Sequence, residues 1–135
     1  MGLDRVARLA DGWLASAYNT APGQFGTAKA ALAEMLAEGG RDPEGFPNAL
    51  VTMWTWISED RAETDRMLGE VLAPLLRRDP GELRERLCIG SAEHCARVLS
   101  DYGREGCEWV QLWPLGEERR QIELFAERVI PEITV

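Results

Sequence analysis

Residues 88–116 read CIGSAEHCARVLSDYGREGCEWVQLWPLG, and they spell out one passage from helix to strand. Cys88-Ile89-Gly90 is short and apolar enough to run extended into Ser91. The Ser91 hydroxyl can accept a bond from an amide of the first helical turn, where helices carry donors without partners. From there Cys95, Val98, Leu99 and Tyr102 recur at helical spacing and give the helix one buried face. Gly103 and Gly106 stop it. Trp109-Val110-Gln111-Leu112-Trp113 then has strand composition, and Pro114-Leu115-Gly116 breaks it. If Val110 and Leu112 face covering helices, Trp109, Gln111 and Trp113 face the other side, and Gln111 becomes a polar group among apolar neighbours.

The same alternation of short apolar runs and amphipathic segments fills the rest of the chain. Upstream, Gly12 to Tyr18 reads as a strand closed by Asn19-Thr20-Ala21-Pro22-Gly23. A helix follows with Phe25, Ala28, Leu32, Met35 and Leu36 on one face and Gly39-Gly40 as its stop. Ala49 to Ile57 is apolar on both alternating faces, with Val51, Met53 and Ile57 on one and Leu50, Trp54 and Trp56 on the other. A strand buried on both faces belongs in a parallel sheet. Ser58 is placed to cap the next helix, whose stripe is Leu68, Val71, Leu72 and Leu75, and Pro74 should split that helix in two. Asp79-Pro80 opens a short helix to about Leu87. The last helix carries Ile122, Phe125, Ala126 and Val129 on one side until Pro131. At the other end, Leu3 to Ala10 has helical composition with no strand before it.

Three parallel strands, each followed by helix, make the fold class α/β. Residues 1–135 are expected to form a single domain. At about 45 residues per unit, eight units need about 360 residues, within the range of a TIM-type (β/α) barrel. Three strands cannot close such a ring, so the expectation is a partial barrel.

Composition removes several functions. The formal net charge of -8 repels phosphate backbones and anionic lipid, which argues against nucleic acid and membrane partners. No run approaches the roughly 20 apolar residues of a membrane span, and no signal-peptide pattern opens the chain, so a cytoplasmic location is expected. Cys88, Cys95 and Cys107 match neither a disulfide framework nor a zinc knuckle and read as reduced structural thiols. His94, the single histidine, reads as a surface group, and without a second histidine a metal site has no support. No Gly-x-Ser-x-Gly elbow occurs.

Three segments together resemble a known family. RVARLADGWL (5–14), with Ala10-Asp11-Gly12-Trp13 at a helix-to-strand junction, the 88–116 stretch with Ile89-Gly90-Ser91-Ala92-Glu93 at its helix start, and IELFAERVIPEI (122–133) look like the last three βα units of luciferase-like monooxygenases. The resemblance covers almost the whole chain. It implies an oxidoreductase or monooxygenase barrel that uses FMN or the deazaflavin coenzyme on a small organic substrate. It also implies that the Gly-rich phosphate loop is reduced to Met1-Gly2-Leu3 or missing, so no catalytic residue carries over. The chain would then supply the C-terminal barrel portion and be inactive alone, with no cofactor held by it alone. The alternative is a non-catalytic truncated homologue acting as a dimeric ligand-binding or interaction module. Either reading implies a homodimer or association with the missing barrel portion.

TIM-type barrels place function at the C-terminal ends of strands. Here those ends offer Ser16, Tyr18, Trp54, Trp56, Gln111 and Trp113 as residues lining a cofactor or substrate. Aromatic walls suit a planar ring or an apolar substrate, although large aromatics also fill cores. The acidic pairs Glu59-Asp60 and Glu117-Glu118 suit helix starts. Arg77-Arg78 and Arg119-Arg120 could hold a phosphate and otherwise read as surface charge.

Overall fold

The computed structural model describes residues 2–135; Met1, part of the Met1-Gly2-Leu3 segment, lies outside them. Helix α1 (Gly2–Leu9) precedes strand β1 (Trp13–Ser16), helix α2 (Pro22–Glu38) and strand β2 (Asn48–Val51). Strand β3 (Trp56–Ile57) leads into α3 (Arg61–Arg66), α4 (Ala73–Leu76) and α5 (Pro80–Arg86). Strand β4 (Ile89–Gly90), α6 (Ala92–Arg104), β5 (Trp109–Gln111) and α7 (Glu118–Leu124) complete the order. Strands β1, β2 and β5 form one three-stranded parallel sheet in that spatial order, and β3 pairs parallel with β4. This is the partial TIM-type α/β architecture, with one pairing, β3 with β4, that alternation alone did not reveal.

The continuous strand expected over Ala49–Ile57 is interrupted. After Val51 the backbone swings out at Met53, which adopts a φ of 65°, and the strand resumes only at Trp56. Thr55 still bridges Pro114 in parallel, so β2 and β3 follow one line with a bulge between them. Polar groups hold the bulge. The Thr52 hydroxyl lies 2.8 Å from the Thr55 hydroxyl and accepts the Trp113 amide at 3.0 Å, and both threonines are buried.

Helix starts follow side-chain acceptors. Asp79 and Ser91 cap α5 and α6 as anticipated, the Ser91 hydroxyl accepting the His94 amide at 3.2 Å. The cap of α3 is Asp60 rather than Ser58. Its carboxylate accepts the Ala62 amide at 2.9 Å, while Ser58 donates to Glu63 at 2.6 Å. Pro74 does not split the helix. A π-helical turn, Met67–Leu72, widens the path just before it, and the Ala73 amide reaches back five residues to the Leu68 carbonyl. The missing donor of Pro74 therefore falls where the regular ladder has already been shifted. The turn also alters the buried face: Leu68 and Leu72 are buried, whereas Val71 and Leu75, expected on the same stripe, are exposed.

The C-terminal helix shows the same effect. A second π-helical turn, Phe125–Val129, sets a spacing of four, so the buried side is Gln121, Phe125 and Val129. Ile122 and Ala126, expected inside, point to solvent. Gln121 instead closes the free edge of β3: it accepts the Ile57 amide at 2.6 Å and donates to the Ile57 carbonyl at 3.2 Å. Its amide stands in for a neighbouring strand.

The main core gathers under the helix-covered side of the sheets, with Phe25, Leu50, Leu72, Leu83, Ile89, Val98 and Tyr102 fully enclosed. Phe25 is central to it, stacked on Trp13 at 4.8 Å and met edge-on by Tyr102 at 5.9 Å. A smaller cluster of Ala7, Leu32, Leu36 and Phe46 seats α1 on α2.

Candidate functional site

Strand register sorts the sheet into two faces. Trp13, Ala15, Asn48 and Leu50 share the helix-covered face; Val110, on the same side by register and expected under covering helices, is 39% exposed. Leu14, Ala49 and Trp109 form one cross-strand row on the opposite face, and Ser16, Val51 and Gln111 form the next. With strands about 4.8 Å apart, the second row reaches roughly 10 Å from the Ser16 strand to the Gln111 strand. Both rows stand open. Trp109 is 69% exposed, Leu14 53%, and Trp113, two residues beyond Gln111, 56%.

At the C-terminal end of that face, the bulge carries Trp54 to Tyr18, and the two rings meet edge to face at 5.5 Å. Arg78 lies over the other part of the Tyr18 ring, 4.4 Å from its centroid, with Glu82 as a distant carboxylate partner at 4.0 Å. Arg77 turns the chain there in the left-handed region, at a φ of 52°. The stack of cation, phenol and indole is a preformed edge for a planar or apolar group.

Four of the six expected residues therefore fall in two groups, Ser16 with Gln111 on one row and Tyr18 with Trp54 in one contact. Trp113 flanks the first group. Trp56 does not join either: it is buried in the main core beneath Gly116, and its indole N–H has no hydrogen-bond partner among the described residues. The two indoles were assigned to one strand face, and the bulge separates them. Arg78 was read from sequence only as part of the Arg77-Arg78 pair, for a phosphate or as surface charge and not as a partner of Tyr18, and the Thr52–Thr55 pair was not singled out. The signal was present in two threonines flanking Met53-Trp54 within an otherwise apolar run.

Other candidates are accounted for by their contacts. Arg119 and Arg120 pair with Glu123 and Glu117 at 2.9 and 2.7 Å, so neither is held for a phosphate. The start of α6 faces a cavity of about 400 Å³ lined by Ile57, Ser58, Glu63 and Arg120, but Glu59 occupies its donors, accepting the Ala92 amide at 3.2 Å. Cys95 is pushed well up by its bond to the Cys88 thiol and by burial, which keeps the Cys95 thiol protonated. Among the described residues no three His, Cys, Asp or Glu side chains gather as metal ligands, and no helix is long and apolar enough to cross a membrane.

His94 is half-buried rather than a free surface group. Arg97 donates to its Nδ1 at 3.0 Å, and its Nε2 lies 3.4 Å from the Leu87 carbonyl, an arrangement that suits the neutral ring. Burial lowers its pKa, the Leu87 carbonyl opposes that shift, and Arg97 and Arg84 add to it. The unfolded chain therefore binds a proton more readily than the folded one. Stability should be level above the ordinary histidine value of 6.5 and fall as pH drops below it. Urea midpoints measured from pH 8 to pH 5 should show that decline, and His94→Gln should flatten it.

The Thr52 hydroxyl governs the bulge and can be removed without changing side-chain shape. Thr52→Val should cost about 1–3 kcal/mol, because the buried Trp113 amide and Thr55 hydroxyl each lose a partner. Urea unfolding measures the cost. Loss of the Tyr18–Trp54 near-ultraviolet signal should accompany it.

Comparison with known proteins adds the fold. No protein-family profile matches the chain, and no curated protein matches it in sequence. Among solved structures, an F420-dependent secondary alcohol dehydrogenase in complex with an F420-acetone adduct superposes with a TM-score of 0.80 at 17% identity, over 99% of this chain and 46% of that one. The coenzyme F420 dependent tetrahydromethanopterin reductase from Methanopyrus kandleri gives 0.68 at 16% identity, over 98% of this chain and 48% of that one. A monooxygenase from Streptomyces bottropensis gives 0.64 at 17% identity, over 96% of this chain and 44% of that one. The chain spans less than half the length of each. At such identities the shared property is the fold alone, a partial TIM-type α/β barrel.

Proposed function

We propose that this chain forms part of the binding wall of a luciferase-like flavin- or deazaflavin-dependent oxidoreductase. The observation that carries this reading is the open row Ser16–Val51–Gln111, which ends at the Tyr18–Trp54 pair on the strand termini where barrels of this fold place function. A bound flavin or deazaflavin would supply the redox chemistry. The residues here offer what a planar ring needs on one side: indole and phenol surface for stacking, and Ser16 and Gln111 for hydrogen bonds. Their part is to bind, orient and exclude water. The row contains no carboxylate, thiol or imidazole, so any proton transfer uses groups from elsewhere in the assembled protein.

That same chemistry favours a second reading, a ligand-binding or interaction module without turnover. FMN and coenzyme F420 separate the two. Titrated into the purified chain, one of them should quench tryptophan fluorescence and shift its own visible absorbance. Trp54→Ala and Trp113→Ala should each weaken that response. If neither compound binds the chain alone or the chain joined to the remaining barrel units, the oxidoreductase reading fails.

A further inference from the structure

The chain carries 23 acidic and 15 basic side chains, so an arginine here ordinarily finds a carboxylate. Arg104, Arg119 and Arg120 hold theirs at 2.5, 2.9 and 2.7 Å. Arg78 does not. Glu82, its one carboxylate partner among the described residues, stands at 4.0 Å, the longest of the ion pairs. Yet the Arg78 side chain, 30% exposed, is the least exposed of the arginines that form them. Water satisfies the donors of an exposed guanidinium, but Arg78 is mostly withdrawn from it. Its N–H groups meet no acceptor within hydrogen-bond distance among the described residues.

The neighbours share the shortage. The Tyr18 ring draws the cation to 4.4 Å but offers no lone pair on its face. The Tyr18 hydroxyl has no hydrogen-bond partner among the described residues, unlike the Tyr102 hydroxyl, which donates to the Thr20 carbonyl. The Trp54 indole, edge to face with Tyr18 at 5.5 Å, adds an N–H that likewise has no protein acceptor among the described residues. Three donors therefore gather at the C-terminal strand ends, and the carboxylate nearest to Arg78 is out of hydrogen-bond reach. The group this set lacks is an oxyanion.

Backbone bonds on both sides hold the guanidinium in place. Arg77 ends α4 in the left-handed region, the Arg78 amide donates to the Ala73 carbonyl at 3.2 Å, and Asp79 opens α5 by accepting the Gly81 amide at 2.8 Å. Arg78 thus reaches Tyr18 from a preorganised turn. Arg41 provides the contrast. It lies 5.1 Å from the Phe46 ring, but it donates to the Ala7 carbonyl at 2.8 Å and so clamps one helix to a loop.

We propose that Arg78, Tyr18 and Trp54 form an oxyanion site, in which Arg78 takes the carboxylate or phosphate of an organic ligand whose planar or apolar body lies against the Trp54 indole. The site rests on the geometry above, and only the statement that its occupant is the substrate or cofactor of a redox reaction rests on the oxidoreductase reading.

Nuclear magnetic resonance titrations of the full chain test it, read at the Trp54 indole N–H signal, which Trp54→Phe identifies. Benzoate and phenyl phosphate share their ring with neutral benzamide and differ from it in charge. Both should bind about fivefold or more tightly than benzamide. With a net charge of -8 on the chain, that preference runs against the mean field and reports a local cation. Arg78→Gln should abolish the preference, and Arg78→Lys, which keeps the charge and loses the planar fork, should retain part of it. Tyr18→Phe should lower it about twofold. Arg119→Gln, which removes an exposed arginine of α7, should leave it unchanged. Equal affinity for charged and neutral probes, no binding of any probe, or a preference that survives Arg78→Gln overturns the proposal. FMN and riboflavin, which differ by a phosphate, then locate the oxyanion. An Arg78→Gln effect on FMN but not on riboflavin puts it on a cofactor tail, and an unchanged FMN affinity puts it on a substrate. Anion preference without uptake of FMN or coenzyme F420, by the chain alone or joined to the remaining barrel units, sinks the oxidoreductase reading alone. Uptake of either without that preference sinks the oxyanion site alone.

Discussion

Phe25→Ala should lower the free energy of unfolding by about 3–5 kcal/mol, the range for deleting a fully buried aromatic ring. The ring lies between Trp13 and Tyr102, so its removal takes out one stacked and one edge-to-face contact together and leaves a void that α2 and α6 cannot easily close. Tyr102 is further tied by its hydroxyl to the Thr20 carbonyl, which keeps it from moving into the space. Chemical denaturation followed by tryptophan fluorescence gives the number. A loss below about 1 kcal/mol would mean that the site collapses freely and that the aromatic stack is not the centre of the core.

Gln121→Leu should cost about 2–4 kcal/mol, although it replaces a buried polar side chain with an apolar one of similar size. Both backbone groups of Ile57 would be left inside the protein without a partner, and each such group costs roughly 1–3 kcal/mol. Gln121→Glu offers a control, since it retains an acceptor for the Ile57 amide and loses the donor to the carbonyl. Above its carboxylate pKa it should be at least as damaging as leucine, because a charge is then buried beside an unsatisfied carbonyl. Equal stability of the wild type and Gln121→Leu would show that the amide does not hold the strand edge.

These two positions also show what the sequence disclosed. Phe25 was readable, because its helix obeys ordinary periodicity from Pro22 to Glu38 and Phe25, Leu32 and Leu36 fall in phase, although Met35, expected on the same face, is exposed. Gln121 was not. The face of the last helix was assigned on a 3.6-residue period, and the π-helical turn changed the phase so that Ile122 gave way to a polar neighbour. At Trp109–Gln111 register keeps Trp109 and Gln111 on one side and Val110 on the other, but all three are exposed, so the cover expected over Val110 is absent. Alternation failed at Met53, where a left-handed residue breaks the count and sends Trp54 and Trp56 to different places. Arg78, read only as a possible phosphate holder or surface charge, was not linked to Tyr18 for a related reason: its approach depends on a turn at Arg77 that no local pattern announces.

Each π-helical turn houses one residue more than a regular helix of the same height would hold. A one-residue deletion at Met67–Leu72 or Phe125–Val129 can therefore be taken up by tightening the coil to a regular helix, at the cost of re-phasing the buried Leu68 and Leu72 or Phe125 and Val129. Variation in length would accumulate on the outer helices, while the geometry at Tyr18, Trp54 and Gln111 stays constant from one version to the next.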